Sequence, residues 1–199
     1  MATPTKTVQT QLQAWLEFTA GAAPTFSTPF DCSTILSAAI GIRIARKTSS
    51  AFTAGSPNIR IEASIGTTGP WIPIYTYQPA VGASIAATTL NGSVSAAAST
   101  FVVTSATNIA AGALVYLGDT SSANWELVRV KGVSGTTITP EEAVVFSHAN
   151  AAVVSTQAEE IFPTVDLMQY KKIRSVIDDI GSGQNIYAEI SLITCDSFG

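Results

Sequence analysis

Apolar side chains recur at every second position in segment after segment of this chain, and that period confines those segments to strands. In AAIGIRIARK, Ile40, Ile42 and Ile44 fall on one side and Arg43 on the other. In NIRIEASI, Ile59, Ile61, Ala63 and Ile65 alternate with Arg60 and Glu62. In NIYAEISLIT, Ile186, Ala188, Ile190 and Leu192 form the apolar row. The best helical candidate, Ala106–Ala113, is short and contains Gly112. Alternation on this scale implies sheets with one buried face, so the chain is expected to be all-β with antiparallel sheets.

The texture of the strands changes twice. From about Val81 the side chains become small, and GASIAATTLNGSVSAAAST holds almost no large one after Leu90. Short strands then crowd together in TFVVTS, ALVYLGD, NWELVRVKGV, TTITP, AVVF and AAVVST, with hairpin turns expected at Gly118-Asp119, Lys131-Gly132 and Ser134-Gly135. That is the pattern of a small barrel or a compact sandwich. After Gln157 the larger residues return, in EEIFPTVDLMQY and KKIRSVIDDI. Asn58–Ile65 and Asn185–Leu192 share N-I-x-x-E-x-S-[IL], which places both in one sandwich, whether as neighbours or apart. The expected organisation is an antiparallel, jelly-roll-like β-sandwich built from residues 1–80 and 157–199, with an inserted small β-barrel domain at 82–155. Insertions of this kind are tolerated at loop tips whose ends lie close together.

Charge narrows the function. Only 12% of residues are charged and the formal net charge is −4, against about 25% charged in ordinary soluble domains. A nucleic-acid partner needs a basic stripe. The basic clusters here, Arg43, Arg46, Lys47 and Lys171, Lys172, Arg174, sit among apolar residues at strand spacing and read as solvated faces or ion-pair partners. A membrane-spanning helix needs about 20 consecutive apolar residues, and no stretch reaches this. MATPTKTVQTQLQAW has no apolar secretory core, so no secretory signal is expected and the chain is expected to be made in a cytoplasm. Cys32 and Cys195 are then expected to be free, buried and inert. A charge-poor surface of Ala, Thr, Ser and Gly suits close subunit contact, because few charges must be desolvated.

No catalytic constellation emerges. His148 is the one histidine; it sits in FSHAN without a nearby partner and reads as a turn residue. No metal or cofactor is expected, since ligands at defined spacing and a glycine-rich phosphate loop are both missing. Glu141-Glu142 and Glu159-Glu160 would point to opposite strand faces, and Asp178-Asp179 precedes a Gly/Ser turn. The chain is therefore expected not to be an enzyme. Candidate contact residues are Leu12, Trp15, Leu16 and Phe18, in a half-buried strand or arm, VQTQLQAWLEF, that is able to add to a neighbour's sheet. A second set is Trp71, Tyr75 and Tyr77, expected on one face of WIPIYTYQP as core or subunit interface or, alternatively, as a sugar-stacking platform. Pro73 confines that strand to an edge or a bulge.

Two blocks carry a resemblance. The outer one comprises D-x-S, I-x-I-x-R, NIRIEASIGTTGPWIPI, YKKIRSVIDD and NIYAEI, with Glu62, Ser64, Trp71, Pro73, Tyr170, Ile173 and Arg174 at the matching positions. It resembles β-sandwich proteins of tailed-bacteriophage virions. The inner block, from SAAASTFVVTS through WELVRVKGV to FSHANAAVV, looks like a small barrel module of phage particles. There the matching residues are Gly112, Leu117, Gly118, Glu126, Val128, Val130, Gly135 and His148, while Asn150 departs from the glycine that often follows the His segment. The resemblance implies a capsid decoration or cement protein of the virion. Its partners would be the major capsid protein and further copies of itself, as a dimer or trimer, with no nucleic acid and no membrane involved. A tail, neck or fibre component and a carbohydrate-binding module are the alternatives.

Overall fold

A computed structural model describes residues 10–19, 21–46, 57–79, 87–118, 124–156, 158–178 and 185–196. Every regular element among them is a strand. In chain order these are β1 (Thr10–Phe18), β2 (Thr25–Phe26), β3 (Phe30–Asp31), β4 (Ile35–Ala45), β5 (Asn58–Ser64) and β6 (Ile72–Tyr77). There follow β7 (Ala87–Thr89), β8 (Phe101–Val102), β9 (Leu114–Gly118), β10 (Trp125–Ser134), β11 (Thr137–Pro140) and β12 (Val153–Ser155). The last four are β13 (Ala158–Ile161), β14 (Thr164–Asp166), β15 (Lys172–Asp178) and β16 (Ile186–Asp196). Among the described residues no helix is long and apolar enough to cross a membrane.

The chain divides into two compact units, Met1–Ile44 with Phe52–Ala80 and Glu160–Gly199, and Ala45–Ala51 with Val81–Glu159. The first is a sandwich. One sheet runs β1-β16-β4-β13, with β14 also on β4; the other runs β2-β15-β5-β6, with β3 also on β15. The strand pairs are antiparallel. Alternation does the rest: Ile40, Ile42, Ile190 and Leu192 of one sheet and Ile59, Ile61, Ile173 and Ile177 of the other are buried in one continuous core. Each such side chain stabilises the fold by ~1.5–3 kcal/mol relative to exposure. The two N-I-x-x-E-x-S segments do share this core, but they are not neighbours. β5 and β16 lie in different sheets and contribute to the core from opposite sides, so the shared pattern records a shared inward period.

The second unit is a six-stranded sheet in the order β7-β12-β9-β10-β11-β8. It closes on itself. Leu90 bridges Val103, Thr104 donates its N–H to the Thr89 carbonyl at 2.8 Å, and Asn91 donates to Val102 at 2.8 Å. The strands carry few large side chains, and a small barrel needs few: Leu90, Phe101, Val115, Leu117, Val130, Ile138 and Val154 fill it. Gly135, at φ 59°, makes the β10–β11 turn as expected. Lys131-Gly132 does not make one. It lies within β10, where the register slips between Val130 and Gly132, a β-bulge in place of a hairpin.

AVVF is not a strand either. Among residues 141–148 only His148 makes a ladder contact, an isolated bridge to Val94, for a reason that belongs to the site below.

Gly118, at the end of β9, is packed too closely for any side chain. A Cβ there would lie 2.7 Å from the Tyr116 hydroxyl and 3.0 Å from Trp125 Cβ. Gly118→Ala is expected to destabilise the barrel by ~1–3 kcal/mol through overpacking, read as a lower urea midpoint.

Candidate functional site

The outward positions of the second sandwich sheet carry the most organised surface cluster. Glu62 of β5 stands opposite Arg174 of β15, and both point away from the core because their neighbours Ile61, Ala63 and Ile173 point into it. Arg174 donates from Nε and Nη2 to Glu62 Oε2, at 2.9 and 2.7 Å. Arg60 Nε lies 3.5 Å from the other Glu62 oxygen, and Arg60 Nη1 donates to Asp178 Oδ2 at 2.9 Å. The Arg174 guanidinium is also held between two rings, 4.4 Å from the Phe26 centroid and 4.2 Å from the Trp71 centroid. Contacts of this kind contribute ~0.5–1 kcal/mol each where solvent reaches them. Phe26 remains 50% exposed.

Trp71, Tyr75 and Tyr77 do not share a face, contrary to the alternation of WIPIYTYQP. Tyr75 pairs with Ile61 but Pro73 pairs with Glu62, so Ile74 is an extra residue and the strand bulges there. The bulge reverses the parity. Tyr75 and Tyr77 pack inward against the sandwich core, while Trp71 lies outside on Arg174. Tyr75 instead lines a cleft of about 380 Å³ with Tyr170, Asp166 and Gln169.

The other sheet repeats the theme of paired charge. Arg43 Nε donates to Glu160 Oε1 at 2.6 Å, and its Nη1 to Glu189 Oε2 at 3.3 Å. Gln11 donates to Glu189 at 2.7 Å, and the Tyr187 hydroxyl to Glu17 at 2.6 Å. These last two bonds tie β1 to β16 beyond their ladder, which decides for the half-buried strand over the alternative of an arm. β1 is a strand of its own chain's sheet. Leu12 and Phe18, expected at an interface, are buried in the sandwich core because β1 covers it. The side chains of Trp15 and Leu16, and the segment Thr5–Gln9, lie outside the described residues.

Cys32 is buried, donates weakly to the Tyr170 carbonyl, and has its thiol pushed up to about 11 by burial and by Asp31. It is therefore a poor nucleophile. The side chain of Cys195 lies outside the described residues.

In the barrel, β10 places Glu126 at an inward position, in line with Val128 and Val130. Its carboxylate accepts the N–H of Val145 at 2.8 Å and that of Phe146 at 3.1 Å, and lies 2.7 Å from His148 Nε2. His148 is a buried partner of this carboxylate, so its reading as an unpartnered turn histidine is corrected. Burial raises the Glu126 pKa, but the His148 bond and the two N–H groups outweigh it and leave the carboxyl below its ordinary value. With those N–H groups captured by a side chain, AVVF has none left at that point for a ladder, which is why it forms a loop.

The fold class is thus an all-β antiparallel sandwich with a small closed barrel. No family model and no curated protein matches the chain. Among solved structures it is similar to the SPBc2 prophage-derived protein YomS, with 8% identity and a TM-score of 0.34 over 97% of this chain and 96% of that one. A likeness at that level carries no argument about function.

Proposed function

We propose that this chain is a structural protein of a tailed-bacteriophage particle, specifically a decoration or cement protein that binds the outer surface of major capsid subunits. The observation that carries the reading is the pairing of charge on the sandwich. Arg43, Arg60, Lys172 and Arg174 each meet a carboxylate of the same chain. A partner that covers these four cations covers them already paired, so the desolvation cost of that part of the interface is reduced. Phe26, Arg174 and Trp71 supply a rigid aromatic–arginine anchor, the residue types that dominate contact energies. The resemblance of the two sequence blocks to virion proteins supplies the phage. The mechanism is additive: many symmetry-related copies, arranged as dimers or trimers, bury surface across subunit boundaries and stabilise the assembled head over its open states. In this reading the protein is made in the host cytoplasm, ends in the virion, and works without cofactor or catalysis.

Imaging of intact particles tests the assignment. Copies across the whole head, in register with the capsid lattice, are expected. Copies confined to small rings at the neck or tail would overturn the capsid assignment in favour of a tail protein. A second reading, carbohydrate binding, is favoured by the cleft, where Tyr75 and Tyr170 face a carboxylate and an amide from Asp166 and Gln169. A glycan array on which the chain binds nothing would remove it.

A further inference from the structure

We propose that the Val145–Phe146 tip of the barrel is a pre-formed docking element, which enters an apolar recess rimmed by basic side chains on a protein subunit of the particle. This rests on the reading above and adds the element that makes the contact and the chemistry it meets.

Large apolar side chains on a floppy loop say little, but this loop is held at every residue. Val144 exchanges backbone bonds with Ala97 and Ala98, at 2.7 and 3.0 Å. Val145 and Phe146 give their N–H groups to Glu126. The Ser147 hydroxyl accepts the N–H of Ala96 at 3.1 Å, and His148 exchanges two bonds of 2.9 Å with Val94. Val144 and His148, at the two ends, are 1% and 2% exposed. Between them Val145 is 64% exposed and Phe146 37% exposed. A buried carboxylate thus fixes two consecutive residues so that both side chains face solvent. A loop whose task was to cover the barrel would turn at least one inward. Fixing the loop beforehand removes the ordering entropy that binding would otherwise have to overcome.

The same loop names its partner's charge. Glu141 and Glu142, both exposed, stand earlier in the same loop, ahead of Ala143 and the buried Val144 that lead into the tip. Two exposed carboxylates in the loop that carries the apolar tip, on a chain of net charge −4, are repelled by anionic lipid headgroups and attracted by a Lys/Arg rim. The apolar pair also lacks the area and the flanking cations that hold an interfacial anchor in a bilayer.

The test uses the full chain and particles assembled without it. Val145→Ser/Phe146→Ser is expected to lower particle affinity at least tenfold while leaving the unfolding midpoint of the parent. Glu141→Lys/Glu142→Lys, at surface positions that do not touch the core, is expected to weaken binding several-fold and to flatten its salt dependence. Neither the parent nor the variants should sediment with phosphatidylcholine or phosphatidylserine vesicles. Parent-like particle binding by both double variants overturns the docking tip and leaves the proposed function standing. Tip-dependent sedimentation with vesicles overturns the protein partner. A parent chain that fails to bind particles overturns the proposed function itself, and the tip proposal with it.

Discussion

A chain lacking residues 1–18 is expected to fail as a folded protein, rather than to fold and merely lose a contact. Truncation removes β1, and with it Leu12 and Phe18 from the sandwich core. Emptying a core position of a large apolar side chain costs ~2–5 kcal/mol, and two such losses approach the ~5–15 kcal/mol by which a domain is stable at all. The deletion also bares the β16 edge along Ile186–Leu192, where every second residue is apolar, and an uncovered apolar edge pairs with other chains. Glu189 and Tyr187 lose their Gln11 and Glu17 partners as well. The measurement is soluble yield and thermal unfolding followed by circular dichroism. A truncated chain that unfolds with the parent's midpoint would mean that β1 is a dispensable arm.

Glu126→Ala should be the most damaging single side-chain change in the barrel. It leaves the N–H groups of Val145 and Phe146 without their acceptor and takes the partner from a histidine that is 2% exposed. Breaking a buried, hydrogen-bonded charged group of this kind costs ~3–5 kcal/mol. Glu126→Gln, which keeps one acceptor oxygen, should cost less. The two forms also separate by pH. The Glu126 carboxyl is held below its ordinary value in the folded chain. Its contribution is therefore present in full above the ordinary carboxylate range, declines as pH falls below that range, and is gone once pH passes the folded value. Urea midpoints measured across that window should fall for the parent chain and fall less for Glu126→Gln. Parallel pH profiles would show that the carboxylate contributes no such stability.

Most of the strands were legible because they obey one rule. Ile59, Ile61, Ile173, Ile186, Ala188, Ile190 and Leu192 all lie inward where the period of two puts them. The rule failed where a backbone irregularity reset the period. The extra residue at Ile74 separated Trp71 from Tyr75, and the slip beside Gly132 turned an expected hairpin into a bulge. A bulge is decided by cross-strand register, which a local pattern does not contain. Pro73 was the one local hint, since it demands an edge or a bulge. The Glu126–His148 pair was missed although its signal was present. In WELVRVKGV a carboxylate occupies the inward row with Val128 and Val130, and an inward carboxylate demands donors. AVVF failed for the same cause, because apolar composition favours a strand but does not reveal that a side chain from another strand will take its N–H groups. The N-terminal segment was open between a strand and an arm, since its partner β16 lies nearly the whole sequence away.

The closure of the barrel through Leu90 and Val103 has a bearing on life at high local concentration. Copies held close together meet often, and any sheet with an open rim would invite them to polymerise strand to strand. A ring of strands presents no rim to copy. One edge of the sandwich is blunted by other means: β6, at one end of its sheet, carries Pro73 and a bulge, which spoil the regular row of donors that a second chain would need there. At both of these places the backbone offers no regular row of donors for a second copy to extend.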